Sequence, residues 1–160
     1  MLFQTRFRLF ETRDLYAVSE INRSCLPENY ALTSFIDTFQ KFPLAFIVAE
    51  GERGLVGYIM GRMENGVSNI THFRVVRKGH IVSVAVLPAY RRAGIGSELV
   101  LRAVRAFFDM GADECYLEVR RTNVDAMVMY GRLGFLRAKI LPKYYADDTD
   151  AVLMVRPLRR

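Results

Sequence analysis

The sequence predicts an α/β (α+β) chain, in which a mixed, mostly antiparallel sheet of seven strands carries about four helices on its faces. Three observations lead there. Three strand-like runs follow one another before the longest helical stretch, which favours antiparallel pairing. A strand–helix–strand unit follows that stretch and can add a parallel strand. The 160 residues, 51% hydrophobic and 25% charged, suit one domain around one core.

The elements follow in order. Thr5 to Phe10 alternates polar and apolar residues and reads as a strand. Asp14 to Ser24 sets Leu15, Val18 and Ile21 three apart, as an amphipathic helix does. Leu26-Pro27-Glu28-Asn29-Tyr30 breaks that pattern as a loop, and a second helix is expected from about Thr33 to Lys41. Strands are expected at Ala45–Glu50, at Leu55–Met63 after a turn around Gly51 to Gly54, and within Thr71–Val86. The last of these is expected to begin irregularly near Arg77-Lys78-Gly79. Its segment Ile81–Val86 is nearly all apolar, as a central strand covered on both faces should be.

Pro88 ends that strand, and Gly94 to Met110 reads as a long helix with Ile95, Leu99, Ala103, Ala106 and Met110 along one face and Gly111 as its cap. Cys115 to Val119 is a strand. Thr122 or Asn123 caps a helix that runs to about Leu133 and stops at Gly134. Strands near Phe135–Leu141 and Ala151–Arg156 close the chain, joined through the acidic loop Asp147-Asp148-Thr149-Asp150.

Several function classes are excluded by what surrounds these elements. No apolar run reaches the roughly 20 residues that span a bilayer, so no membrane partner is expected. The start lacks the continuous apolar stretch of a signal peptide. Cys25 and Cys115 are far apart, form no metal-type pair and read as free thiols of a cytoplasmic protein; no metal site is expected. The net charge of +6 suits a polyanionic partner such as nucleic acid, a ribosome or a phosphate-bearing cofactor, and a solvated basic surface accounts for it equally well. Part of the excess lies in Arg156, Arg159 and Arg160, read as a short basic tail that solubilises the end or contacts a ribosome. The chain has no recognition-helix pattern, zinc ligands or aromatic RNA-binding signature, so sequence-specific binding of nucleic acid is not expected.

The sharpest chemical signal is the stretch Val86-Leu87-Pro88-Ala89-Tyr90-Arg91-Arg92-Ala93-Gly94-Ile95-Gly96-Ser97. A strand enters a short bend with two glycines and leaves as a helix. That arrangement gathers free backbone N–H groups at the positive end of a helix dipole, where a pyrophosphate fits. Glycine at 94 and 96 lets the backbone approach a ligand closely. The bend is neither a Walker loop nor a three-glycine dinucleotide fingerprint. A glycine-containing helix start with no ligand is the structural alternative.

Arg91-Arg92-Ala93-Gly94-Ile95-Gly96 resembles the Arg/Gln-x-x-Gly-x-Gly/Ala acetyl-CoA motif of the GNAT superfamily. Three further segments are similar to the N-terminal acetyltransferases in that superfamily, particularly archaeal enzymes and the catalytic subunit of the eukaryotic A-type complex: Leu26–Tyr30, Lys78–Val86 and Pro142–Asp147. The resemblance covers nearly the whole chain and implies a single GNAT domain over residues 1–160. It implies that amides of Arg91, Arg92, Ala93, Gly94, Ile95, Gly96 and Ser97 hold the coenzyme pyrophosphate. It further implies that Val84, Ala85 and Val86 pair with the pantetheine arm, that Asn123 and Tyr130 contact the coenzyme, and that Tyr130 lies near the thioester sulfur. The acceptor it implies is the α-amino group of a protein N-terminus, attacking acetyl-CoA directly.

That acceptor makes chemical sense. A free α-amine has a pKa of about 8 against about 10.4 for lysine, so deprotonation near neutrality costs roughly 3 kcal/mol less. A weak base acting through water can then suffice, with the site supplying orientation and oxyanion stabilisation. His80 and Glu118 take the base roles by their motif matches. Glu118 lies among apolar neighbours and needs a partner, which Arg120 on the same face could also supply. The resemblance places Leu26, Pro27, Glu28 and Tyr30 on one loop, and Tyr144 and Tyr145 on another, flanking the peptide entrance; loop packing and an exposed acid are the plain alternatives. A GNAT acting on a lysine side chain or a small amine is the competing activity.

Overall fold

Alternating and 3.6-residue apolar patterns become seven strands and four α-helices among the described residues, 4–159 of the computed structural model. In chain order they are β1 (Arg6–Leu9), α1 (Leu15–Cys25), α2 (Leu32–Lys41), β2 (Phe46–Gly51), β3 (Gly54–Val67), β4 (Val75–Val86), α3 (Ile95–Asp109), β5 (Glu114–Arg120), α4 (Val124–Arg132), β6 (Leu136–Leu141) and β7 (Ala151–Pro157). The strands are ordered β1-β2-β3-β4-β5-β7-β6 in one sheet. β4 and β5 run parallel, while β1/β2, β2/β3, β5/β7 and β6/β7 are antiparallel. The expected mixed, mostly antiparallel α+β architecture is therefore present. The order of the last two strands is not chain order, since β7 lies between β5 and β6.

Contacts divide the chain into two compact units, one comprising residues through 62 with 81–106, the other 63–80 with residues from 107 onward. The first has an aromatic core in which Phe10 stacks on Phe46 at 4.1 Å, Phe35 meets Tyr58 edge-on at 6.3 Å, and Val18, Phe35, Phe46 and Tyr58 are wholly buried. Each such ring contributes roughly 1.5–3 kcal/mol by leaving water. Arg8 bonds both carboxylate oxygens of Asp14, at 2.7 and 2.9 Å, and reaches Glu50 at 2.6 Å. Burial pushes the Asp14 carboxyl up. The bonds from Arg8 and the Glu11 amide, with the Arg8 charge, outweigh this and hold it below the usual carboxylate range.

The second unit is built on β5 and β7, whose centres are buried from Cys115 to Leu117 and from Ala151 to Val155. The carboxylate of Glu114, also buried, accepts from Ser68 Oγ at 2.5 Å and from the Asn69 amide at 2.9 Å, which pins the chain just past β3.

Three expectations are corrected. β4 does not start irregularly: it runs unbroken from Val75 through Lys78-Gly79-His80. The reason is Gly79, where an added Cβ would lie 2.3 Å from Phe107 Cγ, so only glycine lets that ring sit against the strand. The Ile81–Val86 segment is not covered equally on both faces, since Ile81, Ser83 and Ala85 are buried and Val82, Val84 and Val86 only half-buried. Along α3 the buried residues are Ile95, Leu99, Val100, Ala103, Val104 and Phe107, whereas Ala106 and Met110 are half-buried. The buried stripe drifts round the helix, as a 3.6-residue period requires.

The basic C-terminus is also less free than a tail. Arg156 belongs to β7, and Arg159 donates to the carbonyls of Ala112, at 3.2 Å, and Phe108. Arg160 lies outside the described residues.

Candidate active site

In the first unit, β4 passes through Leu87, whose amide donates to the Val56 carbonyl at 2.8 Å, into one turn of 3₁₀ helix at Pro88–Tyr90. The bend that follows contains two left-handed residues, Arg92 at φ 59° and Gly94 at φ 84°. Such a φ costs a side-chain-bearing residue about 1–2 kcal/mol, and strain of this kind gathers at functional sites. Ala93, Gly96 and Ser97 are half-buried and Ile95 is buried, while Arg91, Arg92 and Gly94 are exposed. The first intrahelical bond runs from Glu98 N to Gly94 O at 3.0 Å, so the amides of Ile95, Gly96 and Ser97 precede the helix's own acceptors. Arg91 turns back, its Nε donating to the Val86 carbonyl at 2.8 Å, and so closes the bend. An anion can be held there by backbone amides and a dipole without a lysine.

The Leu26–Tyr30 loop belongs to the same unit. Tyr30 donates its hydroxyl to the Val82 carbonyl at 3.4 Å, and Cys25 Sγ lies 3.8 Å from the Val86 carbonyl. The expected peptide-binding loop and the expected pantetheine-binding strand are thus brought together. Leu26, Glu28 and Tyr30 are half-buried, Pro27 exposed. Asn22, Tyr58 and Ser83 support them and were missed by sequence reasoning. Tyr58 and Ser83 share a 2.6 Å hydrogen bond, and burial pushes the Tyr58 phenol up to about 12.

The second unit holds His80 and Glu118. The parallel ladder between β4 and β5 is three residues long, Lys78–His80 against Glu114–Tyr116, and His80 opposite Tyr116 is its last pair. Two positions further along β5, Glu118 meets His80, with Nε2 and Oε2 2.7 Å apart and the two side chains 10% and 15% exposed. The ring of His80 stacks on Tyr116 at 4.4 Å and 5°. Tyr116 in turn donates to Glu64 and lies under the ammonium of Lys78, 4.6 Å from its centroid. A neutral imidazole that donates to Glu118 from Nε2 keeps its lone pair on Nδ1, which is buried and has no hydrogen-bond partner among the described residues.

Arg120, weighed above as a partner for Glu118, donates to both oxygens of Asp147, at 3.1 and 2.9 Å, and its guanidinium lies 4.2 Å over the Tyr145 ring. Tyr145 meets Tyr144 edge-on at 5.0 Å, and Tyr144 is 49% exposed. Arg121 reaches Asp150 at 3.1 Å, so the loop before β7 is tied by two adjacent arginines. The hydroxyl and amide of Thr149, then Arg120, hold the Asp147 carboxyl below its ordinary range.

Asn123 is the N-cap of α4, accepting from the Ala126 amide at 3.2 Å. Tyr130 lies buried in the same helix, edge-on to Phe135 at 5.8 Å, and burial pushes its phenol up to about 12. It therefore keeps its proton near neutrality and has a hydrogen to donate. Cys25 and Cys115 are free thiols, and burial pushes the Cys115 thiol well up.

The family model described as the Acetyltransferase (GNAT) family matches residues 15–135. A protein of Sulfolobus acidocaldarius named N-alpha-acetyltransferase is 44% identical over 155 residues, covering 96% of this chain and 92% of that one. A protein of the same name from Saccharolobus solfataricus is 46% identical over 147 residues, covering 91% and 88%. Among solved structures, Ard1 from Thermoplasma volcanium aligns with a TM-score of 0.85 at 27% identity, over 98% of this chain and 99% of that one. Naa20 from Chaetomium thermophilum, in complex with a bisubstrate analogue, aligns with a TM-score of 0.85 at 30% identity, over 96% and 86%. With strand–bend–helix, sheet order and sequence in agreement, the chain belongs to the GNAT acetyltransferase family.

Proposed function

We propose that this chain transfers the acetyl group of acetyl-CoA to the N-terminal α-amino groups of proteins, by direct attack of the amine. The carrying observation is the strained bend at Arg92 and Gly94 ahead of α3, in a chain 44% identical over most of its length to a protein named N-alpha-acetyltransferase. Amides from Arg92 to Ser97 hold the pyrophosphate, the expected Arg91 amide being bonded instead to the Pro88 carbonyl at 3.3 Å, and Val84–Val86 pair with the pantetheine arm. The three-residue β4/β5 ladder supports the second assignment, because Val84–Val86 have no β5 partner among the described residues.

Attack forms the amide C–N bond and breaks the thioester C–S bond, releasing the coenzyme as its thiolate, which takes a proton from solvent. The proton leaving the α-amine passes, through water, to the His80–Glu118 pair. Glu118 orients the ring, since its carboxylate accepts from Nε2. Tyr130 keeps its hydroxyl proton and donates it toward the departing sulfur as a hydrogen bond. Asn123 reaches the coenzyme from the start of α4. Leu26, Pro27, Glu28 and Tyr30 meet the first residues of the peptide from one loop, Tyr144 and Tyr145 from another. The chain works as a single GNAT domain over residues 1–160, in the cytoplasm. The net charge of +6 suits work beside a ribosome.

The test is coenzyme binding. Acetyl-CoA should raise the unfolding temperature of the protein, and Gly94→Val should remove that protection, because valine disfavours a φ of 84°. Protection by an oligonucleotide and none by acetyl-CoA would overturn the reading.

A further inference from the structure

Asn22 occupies the place of an apolar residue. It falls four positions after Val18 and seven after Leu15 on the buried stripe of α1, and it is 1% exposed. A buried amide is costly unless it is paired, and here every polar atom of the side chain is engaged. Nδ2 donates to the Glu28 carbonyl and to the Tyr58 hydroxyl, each at 3.1 Å. Oδ1 accepts from the Tyr30 amide at 3.1 Å. The backbone carbonyl of the same residue accepts from the Leu26 amide at 3.0 Å. Leu26, Glu28 and Tyr30 therefore all hang by their main chains from one residue.

A primary amide is the shortest side chain that offers donors and an acceptor in opposed directions. Aspartate would lose the donors, and a hydroxyl could not reach both backbone groups. The far end of the network is Tyr58 bonded to Ser83 at 2.6 Å, one residue before Val84. Tyr30 adds a second tie, to the Val82 carbonyl.

We infer that Asn22 is a positioning residue for the peptide acceptor: it fixes the loop that meets the first residue of the incoming chain and links that loop to β4. This rests on assigning the Leu26–Tyr30 loop to peptide binding. A residue that only filled the core would weaken both substrates alike through general loss of stability. Asn22 acts on the peptide side, because the groups it holds belong to the loop.

Kinetics with an N-terminally free peptide, together with hydrogen exchange at the Tyr30 amide, test this in three variants. Asn22→Ala should raise the peptide KM by about tenfold or more, leave the acetyl-CoA KM within about twofold, and speed Tyr30 exchange by about tenfold. Asn22→Asp, which keeps the size and loses the donors, should shift the same KM in the same direction if the alanine variant does not fold. Tyr58→Phe loses a buried hydroxyl but leaves the loop bonds of Asn22, and should move the peptide KM by less than about threefold. A peptide KM unchanged by both Asn22 variants, or raised equally by Tyr58→Phe, would overturn the inference. Failure of the unaltered protein to acetylate any peptide would instead sink the acceptor assignment, and unchanged Tyr30 exchange would still overturn the clamp.

Discussion

Nε2 of His80 lies 2.7 Å from Oε2 of Glu118, and the imidazole rests flat on Tyr116 with the ring centroids 4.4 Å apart. The contact joins two residues of adjacent parallel strands at the end of their ladder. Stacking fixes the plane of the imidazole and the carboxylate fixes its rotation, which is the arrangement a base needs.

Removing either member of the pair should slow acetyl transfer in a pH-dependent way. Glu118→Gln and His80→Ala should each lower kcat by about a hundredfold near neutrality. The deficit should shrink above a pH of about 8, where the α-amine sheds its own proton. The check is a kcat–pH profile from 6 to 9.5. A deficit constant across that range would show that the pair does not take up the proton.

The Lys78-Gly79-His80 segment should be intolerant of any side chain at its centre. Gly79→Val should destabilise the protein by about 2 kcal/mol or more, because the Phe107 ring must move. Phe107→Leu in the same chain should recover part of that loss, measured as urea midpoints in a double-mutant cycle. Full additivity would contradict the clash.

Acid should act through Asp14. Its folded-state pKa is depressed, so its contribution to stability is present above the unfolded value of about 3.9 and is lost as pH falls through the folded value. Asp14→Asn should cost about 3 kcal/mol at neutral pH, and the gap to the unaltered protein should narrow below a pH of about 4. Chemical unfolding at pH 7 and pH 3 checks this, and a gap of constant size would contradict it.

Direct attack leaves the cysteines idle. Cys25→Ala with Cys115→Ala should keep turnover within about twofold, since the buried thiol of Cys115 stays protonated. Loss of turnover in a variant that still binds acetyl-CoA would point to an acyl-enzyme.

The fold was legible wherever one residue type forces the backbone. Pro88, Gly111 and Gly134 closed their elements as read, and Asn123 caps α4. Strand order was not legible, because nothing local in Phe135–Pro157 tells β7 to slip between β5 and its own predecessor. At the site, the bend before α3 could be read from its glycines, but the left-handed Arg92 could not, since arginine carries no such preference. Arg120 was weighed only as a partner for Glu118. Sharing a strand face says nothing of Asp147, 27 residues away, which holds it. Asn22 had a signal, a polar residue on an apolar stripe, whose meaning depends on the loop folding back over it.

One peptide with a free N-terminus and an internal lysine separates an N-terminal α-amine from a side-chain acceptor. The protein is incubated with it and acetyl-CoA, and the product is fragmented in a mass spectrometer. The expected result is a single acetyl group on the first residue, with no product from an N-terminally blocked copy. An acetyl group on the lysine, with the α-amine untouched, would contradict the account.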